Sequence, residues 1–381
     1  MTNYNIVLLG SGVPGALDDL RDHLTTAITA LGLTPGAVAF PGAGQVDGLP
    51  RNTPTVAVFF APSTVTADTI AATQLHARGV PIIPVVADLK TFGADAPPVL
   101  HAYNGFEIGA GRARIGALAS AVLEWLGLLR RQRRLFLSYY RDESEKAAIP
   151  LYNALQAAGF DVFLDTHVIR PGDDFQGVLM HRLLDCEIVV LLDTPGFRTR
   201  RWTVEELARA NLLGIGILQI IWPGHTADRA SPISMKLELD AGDLEAPTGP
   251  FAKGVSDRII AEIEDLRARV VATRTAALAG EFALQADRAG AQVIPQSNRS
   301  LLARWPDGRT MVALPTLGVP SADRYHEVYD NAVDAGLSPP VLIYDHTGVL
   351  QRWLQHLDWL DEHLPLKTLR VADIPKALAK L

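Results

Sequence analysis

The sequence predicts an α/β protein in which largely parallel sheets are covered by helices on both faces. Its candidate strands are short, continuous apolar runs and do not alternate with polar residues, which is typical of strands buried on both sides. Helical patterns separate these runs, and several of them end at a glycine. Alternation of strand and helix predicts a doubly wound architecture. The clearest strands are "YNIVLL", "TVAVFF", "VPIIPVV", "RLFLSY", "DVFLD", "EIVVLL" and "GILQIIW".

Length and composition restrict the classes of protein that the chain can represent. With 381 residues, it is too long for one ordinary core, so two or three domains are expected. A hydrophobic content of 48%, a charged content of 20% and a net charge of −7 predict a folded, soluble protein. They also argue against broad binding to nucleic acid or to a membrane surface. The longest apolar stretch, "LLGIGILQIIW", is too short to span a membrane.

The lack of a recognisable signal peptide and the low cysteine content favour a cytoplasmic location. The first residues, "MTNYNIVLLGSG", have no basic region and no small-residue cleavage site, so we expect a strand there and not a signal peptide. The single cysteine, Cys186, excludes an internal disulfide and suits a reducing compartment. The histidines show no spacing typical of a bound ion, so no metal site is predicted.

The first domain, predicted for residues 1–129, begins with a strand, a glycine-rich loop and a helix. The loop contains Gly10-x-Gly12-x-x-Gly15, which is the context of a dinucleotide-phosphate loop. Pro14 removes an amide from this loop, and the acid expected after the second strand is missing. Two interpretations stay open. The favoured one is a tight strand-to-helix turn, and the other is the cofactor loop of an oxidoreductase or a nucleotide sensor.

One strand–loop–helix–strand unit occurs twice in the chain. Residues 55–86 and 187–222 share this plan, and aligning the glycines that end their helices places Ala71 opposite Glu206. The first copy therefore lacks a carboxylate at this position. We expect the first domain to be a degenerate relative of the second, with a structural or regulatory role.

An arginine-rich seam, "WLGLLRRQRRLFLSYY", joins the two copies. Basic residues suit the end of a helix, and neither an aromatic groove nor the overall charge supports binding of nucleic acid here. The second domain is predicted for residues 130–225. Residues 226–289 are predicted as a connector made of a loop and a long helix, and residues 290–381 as a small C-terminal α/β domain.

Two patterns in the C-terminal segment predict local structure. The stretch "LLARWPDGRTMVAL" predicts a hairpin around a Pro-Asp-Gly turn. Trp353, Leu357 and Leu360 recur at helical spacing, so we expect all three side chains in the core.

Two adjacent glutamates follow a tryptophan in "RRWTVEELARA", at the predicted start of a helix. An acid in a first helical turn offsets the positive end of the helix dipole, so both glutamates have a purely structural explanation. Glu205 has Arg209 four residues later as an ion-pair partner. Glu206 has Ala210 at that spacing and Trp202 one turn back, away from the apolar side of the helix. Glu206 is therefore left unpaired beside an aromatic ring, where a ligand would have room.

The middle of the chain carries several motifs in order. They are "FLSYYRD", "LYNALQAAGFDVFLD", "RPGDDF", "CEIVVLLDTPGFRTRRW" and "EELARA". With these motifs, residues 134–222 resemble a TIR (Toll/interleukin-1 receptor homology) domain of the microbial, NAD+-cleaving type. The resemblance implies a flavodoxin-like, doubly wound parallel sheet for this segment and does not cover the rest of the chain.

The resemblance also implies a set of site residues. In the enzymatic branch of the family, the glutamate four residues after the loop tryptophan is catalytic, and here it is Glu206. Tyr139 and Arg141 would border the nucleotide cleft, and Asp165 would end the second strand. Gly172 would lie in a mobile loop, and Trp202 would flank the pocket. The arginine-rich "RTRRW" departs from the family pattern and affects how the substrate is contacted.

These residues imply an NAD+ nucleosidase that cleaves the nicotinamide–ribose bond, with NAD+ as substrate and no separate cofactor. Such enzymes are typically activated by self-association, so the resemblance implies a homo-oligomer formed through TIR domains and a role as a bacterial antiviral-defence effector. The alternatives are a cyclase that makes a cyclic ADP-ribose signal and a non-enzymatic TIR scaffold for signalling. The flanking domains are expected to respond to a regulatory partner or a nucleotide ligand.

Overall fold

The residues that the structure describes form three five-stranded sheets, and their α/β class agrees with the prediction from the sequence. The computed structural model describes residues 4–33, 36–50, 53–109, 112, 114–164, 181–197, 214–226, 234–296, 299–334 and 340–379. The chain divides into two compact units, one of Met1–Gln132 with Ser256–Arg269 and one of Arg133–Val255 with Val270–Leu381. Among the described residues, no helix is both long enough and apolar enough to cross a membrane.

The first sheet lies in the first unit. Its strands are β1 (Tyr4–Gly10), β2 (Val38–Ala39), β3 (Thr55–Phe60), β4 (Ile82–Val86) and β5 (Phe106–Glu107). The helices beside it are α1 (Ala16–Ala30), α2 (Thr66–Ala77), α3 (Phe92–Asp95) and α4 (Ile115–Trp125). All four strand pairs are parallel, in the order β2-β1-β3-β4-β5. Nearly every side chain of β1, β3 and β4 is buried, as expected for strands that helices cover on both faces.

The second sheet is also entirely parallel. Its strands are β6 (Arg134–Ser138), β7 (Asp161–Leu164), β8 (Ile188–Asp193), β9 (Gly216–Ile221) and β10 (Ser234–Glu238), and α5 (Arg141–Ala157) follows β6. The order is β10-β9-β8-β6-β7. Counted in chain order, the first and second sheets therefore share the flavodoxin-like order 2-1-3-4-5. Strand β10 lies beyond residue 225, so the sheet extends into the segment that the sequence predicts as a connector.

The third sheet combines antiparallel and parallel strands. Its strands are β11 (Gln292–Pro295), β12 (Leu301–Arg304), β13 (Thr310–Pro315), β14 (Val341–Tyr344) and β15 (Thr368–Arg370). Its helices are the long α6 (Val255–Arg288), which precedes it, and α7 (Ala322–Asp334), α8 (Gln351–His363) and α9 (Ile374–Leu378). Strands β11 to β13 pair antiparallel, and β13 to β15 pair parallel. The antiparallel pair β12–β13 confirms the hairpin predicted around the Pro-Asp-Gly turn.

The arginines of the seam between the first two domains contact other residues of the same chain. The guanidinium of Arg131 lies 4.7 Å from the centre of the Trp125 ring, and that of Arg133 lies 4.4 Å from the centre of the Phe160 ring. Arg134 forms ion pairs with two aspartates of the second unit. Cation–π and ionic contacts therefore account for the charge of these three side chains.

The predicted core stripe of α8 is only partly confirmed. Leu357 and Leu360 are buried, whereas Trp353 is 39% exposed. The Trp353 ring stacks on the imidazole of His181, with the ring centres 5.5 Å apart and the planes at 19°. His181 is the first described residue of the helical segment that runs to residue 185, before β8. The prediction of Trp353 as a core residue was therefore wrong. Helical periodicity shows which side of a helix is apolar, but it does not show that this side chain lies at the surface against a residue from a distant part of the chain.

His181 makes this contact as a neutral imidazole. Burial lowers its pKa from 6.5 to about 4, and the positive charges of Arg182, Arg352 and Arg134 add to this shift. As the pH falls from 6.5 towards 4, His181 is protonated in the unfolded chain and stays neutral in the folded protein. Folding therefore becomes less favourable. When the pH is lowered from 7 to 5, we expect the titration of His181 to reduce the free energy of unfolding of the second unit by about 2 kcal/mol.

The matched variant for this pH dependence is His181→Phe, which keeps an aromatic ring against Trp353 and removes the titrating group. Urea unfolding of both proteins at pH 7 and pH 5 measures the difference. Wild type is expected to lose about 2 kcal/mol more stability than the variant over this range. Equal losses in the two proteins would show that His181 does not have the lowered pKa.

Candidate functional site

The second sheet has a topological switch point between β6 and β8. The chain leaves β6, forms β7 on one side of it and then forms β8 on the other side. Ser138 at the end of β6 pairs with Leu191 of β8, and β8 continues to Asp193. In open α/β sheets, ligands bind in the crevice at the carboxyl ends of the strands that flank such a point. The topology therefore places the candidate site at the ends of β6 and β8.

Three buried hydroxyl groups lie at this edge of the sheet. Ser138, Tyr139 and Thr194 are 0%, 2% and 0% exposed. Within the described part of the chain, none of their hydroxyl oxygens has a hydrogen-bond partner. Buried polar atoms are nearly always paired in proteins, so each of these atoms needs an explanation such as a bound water or a ligand. All three residues stand at or directly after the carboxyl ends of the two strands that flank the switch point.

A carboxylate held by two side chains ends β8. Asp193 is buried, and its Oδ2 accepts a hydrogen bond of 2.6 Å from Nε2 of Gln219. Nε2 of His225 lies 3.3 Å from Oδ1 of the same carboxylate. None of these three residues was predicted from the sequence as part of the site. The available signal was an acid that directly ends the apolar run "EIVVLLD".

The start of α5 contacts the loop after β8. Oε2 of Glu143 accepts a hydrogen bond of 2.8 Å from the backbone amide of Gly196. A Cβ added at Gly196 would lie 2.7 Å from Oε1 of Glu143 and 2.8 Å from the ring of Tyr140. This glycine therefore permits the close approach that joins the two sides of the switch point.

Two of the site residues predicted from the sequence lie in the described part of the chain. Tyr139 directly follows β6 and is buried at the switch point, as described above. Arg141 begins α5, is largely exposed, and its Nε lies 3.8 Å from Oε1 of Glu145. An exposed ion pair at this spacing contributes little to stability, so the guanidinium is available to a ligand at small cost.

The other predicted site residues lie outside the described residues. They are Asp165, Gly172, Trp202 and Glu206, together with the neighbouring Glu205. Their assigned roles stay predictions from the sequence.

The glycine-rich loop of the first domain occupies the corresponding switch point, between β1 and β3. The amide of Gly10 donates to Oδ2 of Asp68 at 3.0 Å, and the amide of Gly12 donates to the carbonyl oxygen of Phe60 at 3.2 Å. The amide of Gly10 is therefore already bound by a carboxylate of the chain itself, and this favours the tight-turn interpretation. A surface cavity of about 620 Å³ lies beside this loop, with Val13 and Lys90 in its wall.

Gly12 is required by the close packing of two backbone segments. A Cβ at this position would lie 2.2 Å from the carbonyl carbon of Ala61 and 2.3 Å from the nitrogen of Pro62. We expect Gly12→Ala to lower the free energy of unfolding of the first unit by about 3 kcal/mol, because backbone atoms cannot move aside as a flexible side chain can. Gly44→Ala is the control, since a Cβ there meets open space. A stable Gly12→Ala protein that had lost binding of a dinucleotide would instead support the cofactor-loop interpretation.

Comparison with known proteins places the second sheet in a family. Residues 135–229 match the family model described as "TIR domain". No curated protein matches the chain significantly. A solved structure described as a two-component system response regulator/GGDEF domain protein is 12% identical, and the match covers 69% of this chain and 98% of that chain at a TM-score of 0.29. The C-terminal domain of glucosamine-fructose-6-phosphate aminotransferase from Francisella tularensis is 11% identical over 72% of this chain and 85% of that chain, at a TM-score of 0.22.

Proposed function

Residues 135–229 form a TIR domain, and on this premise we propose that the protein is an NAD+ nucleosidase that cleaves the nicotinamide–ribose bond. The observation that carries the proposal is the position of Glu206, four residues after Trp202 within the TIR domain. The switch point between β6 and β8 supports it, because Ser138, Tyr139 and Thr194 stand at the ends of these strands with buried hydroxyls that have no partner in the described part of the chain, and the exposed Arg141 begins the helix that follows β6.

The chemistry of this reaction needs one fixed anion. Ordinary glycoside cleavage uses two carboxylates, one of which protonates a poor leaving group. Nicotinamide in NAD+ is a pyridinium cation and leaves as a neutral molecule, so no general acid is required. Positive charge develops on the ribose as the bond breaks, and a carboxylate near the sugar stabilises the transition state more than the ground state. At a helix N-terminus, Glu206 would stay ionised at neutral pH.

TIR domains generally self-associate, and the proposal includes this property. The active form is a homo-oligomer in which TIR domains meet, and the flanking domains respond to a regulatory partner or a nucleotide. In a bacterium, depletion of NAD+ by such an enzyme would serve as an antiviral defence. Attack by water gives ADP-ribose, whereas attack by an adenine nitrogen gives the cyclic product.

In the deciding experiment, the purified full-length protein is incubated with NAD+ at a low and at a high protein concentration. Nicotinamide and the ribosyl product are then quantified by chromatography. Release of nicotinamide is expected, with a specific activity that rises with protein concentration. The ribosyl product distinguishes a hydrolase from a cyclase. Absence of nicotinamide at every protein concentration would favour the TIR scaffold.

A further inference from the structure

The third sheet and its helices contact the TIR domain at the residues that lead into β8. Trp353 of α8 stacks on His181, which is only 8% exposed. The backbone amide of Val319, which follows β13, donates to Oδ1 of Asp185 at 3.3 Å. Residues 181–185 are therefore held by the C-terminal part of the chain at both of their ends.

Two arginines hold the same segment from other directions. Arg274 of α6 donates to the carbonyl oxygens of Leu184 at 2.9 Å and Cys186 at 2.8 Å. Arg134, the first residue of β6, forms an ion pair with Asp185. The segment before β8 is thus tied directly to the beginning of β6.

This arrangement links the C-terminal part of the chain to the geometry of the candidate site. Strands β6 and β8 flank the switch point, and the ion pair of Arg134 with Asp185 joins the start of β6 to the residue group that precedes β8. Arg134 and Asp185 stand at the amino ends of β6 and β8, so side chains that hold residues 181–185 act on the switch point only through the length of these two paired strands. Small displacements in a site of this kind have large effects on rate.

We propose that Trp353 is a positioning residue for the TIR site, through which the C-terminal domain sets the geometry of β6 and β8. This inference rests on the proposed function for its catalytic consequence. Trp353 does not contact the reacting atoms, and it acts through His181. The role of the C-terminal domain is then to hold the TIR domain in its active arrangement.

The same helix provides a matched control. Trp359 lies on α8 six residues after Trp353, is 53% exposed, and stacks between His356 and His363 of its own helix. Among the described residues, both ring contacts of Trp359 are with residues of α8, so its removal deletes a similar exposed aromatic surface and leaves the stacking of Trp353 on His181 in place.

The first arm of the test is steady-state kinetics of nicotinamide release by the full chain. Trp353→Ala is expected to lower kcat about tenfold with little change in KM, whereas Trp353→Phe and Trp359→Ala keep the activity of wild type. His181→Ala, made from the TIR side of the contact, is expected to have the same effect as Trp353→Ala. The double variant with Trp353→Ala and His181→Ala is expected to lose no more kcat than either single variant, because all three proteins lack the same contact. Unchanged kcat in Trp353→Ala, or an equal loss in Trp359→Ala, overturns the proposal.

The second arm is hydrogen exchange of the backbone amides of residues 181–193, which needs no activity. Faster exchange in Trp353→Ala than in wild type, with no change in Trp359→Ala, supports the positioning role. Equal exchange in all three proteins overturns it. If wild type releases no nicotinamide, the proposed function fails, and the exchange arm alone then decides whether Trp353 positions these strands.

Discussion

Replacement of Glu206 by glutamine is expected to abolish NAD+ cleavage while the protein stays folded. Glutamine has nearly the same shape as glutamate and lacks its charge, so the substitution removes the anion that would stabilise the ribosyl cation. Loss of one such electrostatic group typically lowers turnover by a factor on the order of 10²–10³. Nicotinamide release measures the loss, and thermal unfolding followed by circular dichroism checks that the variant is folded.

Glu205→Gln is the matched control, because Glu205 is the adjacent residue in the same predicted helical turn. Its predicted ion pair with Arg209 is a surface contact, and its removal should leave turnover close to that of wild type. Equal losses in the two variants would mean that both glutamates serve the helix N-terminus. Full activity of Glu206→Gln would remove the basis of the enzymatic proposal.

Arg267→Ala is expected to destabilise the first unit strongly. The Arg267 side chain is fully buried, and its Nη1 lies 2.8 Å from Oε1 of Glu124 and 3.3 Å from Oε2 of Glu264. Ser120 donates to the same Glu264 oxygen at 2.6 Å. Removal of the guanidinium takes a cation away from the buried Glu264 carboxylate, which costs about 3–5 kcal/mol for a pair of this kind.

Urea unfolding of the full chain measures this loss for the unit formed by residues 1–132 and 256–269. Asp265→Ala is the control, since Asp265 is exposed on the same helix and in the same unit, and its cost should stay within about 0.5 kcal/mol. Adding Glu264→Gln to Arg267→Ala should recover part of the stability, because it removes the uncompensated charge. Similar costs for Asp265→Ala and Arg267→Ala would show that the buried ion pair does not hold α6 against α4.

Much of the architecture could be read from local sequence patterns. Continuous apolar runs identified β1, β3, β4, β6, β8 and β9, because strands covered on both faces need apolar residues at every position. The Pro-Asp-Gly turn identified the hairpin of β12 and β13, since its geometry depends on adjacent residues. The TIR motifs identified the second domain from its order of short segments, and the family comparison confirms it.

The candidate site was only partly accessible to the same reasoning. Tyr139 was selected through the family resemblance, but its burial beside Ser138 and Thr194 depends on how β6 and β8 pair. Asp193 was not selected, because its partners Gln219 and His225 reach it only when β8 and β9 lie side by side. Neither pairing leaves a periodic signal in the sequence.

The sequence by itself determined the strands, the hairpin, the TIR motifs and the choice of Glu206, because each depends on residues within about one turn or one motif of each other. Only the tertiary structure decided that Asp68 occupies the loop of the first domain, that Asp193 is held by Gln219 and His225, and that Trp353 packs on His181. These contacts join residues far apart in the chain. Such contacts form only when the packed sheets bring distant surfaces together, and local patterns in the sequence do not show which surfaces will meet.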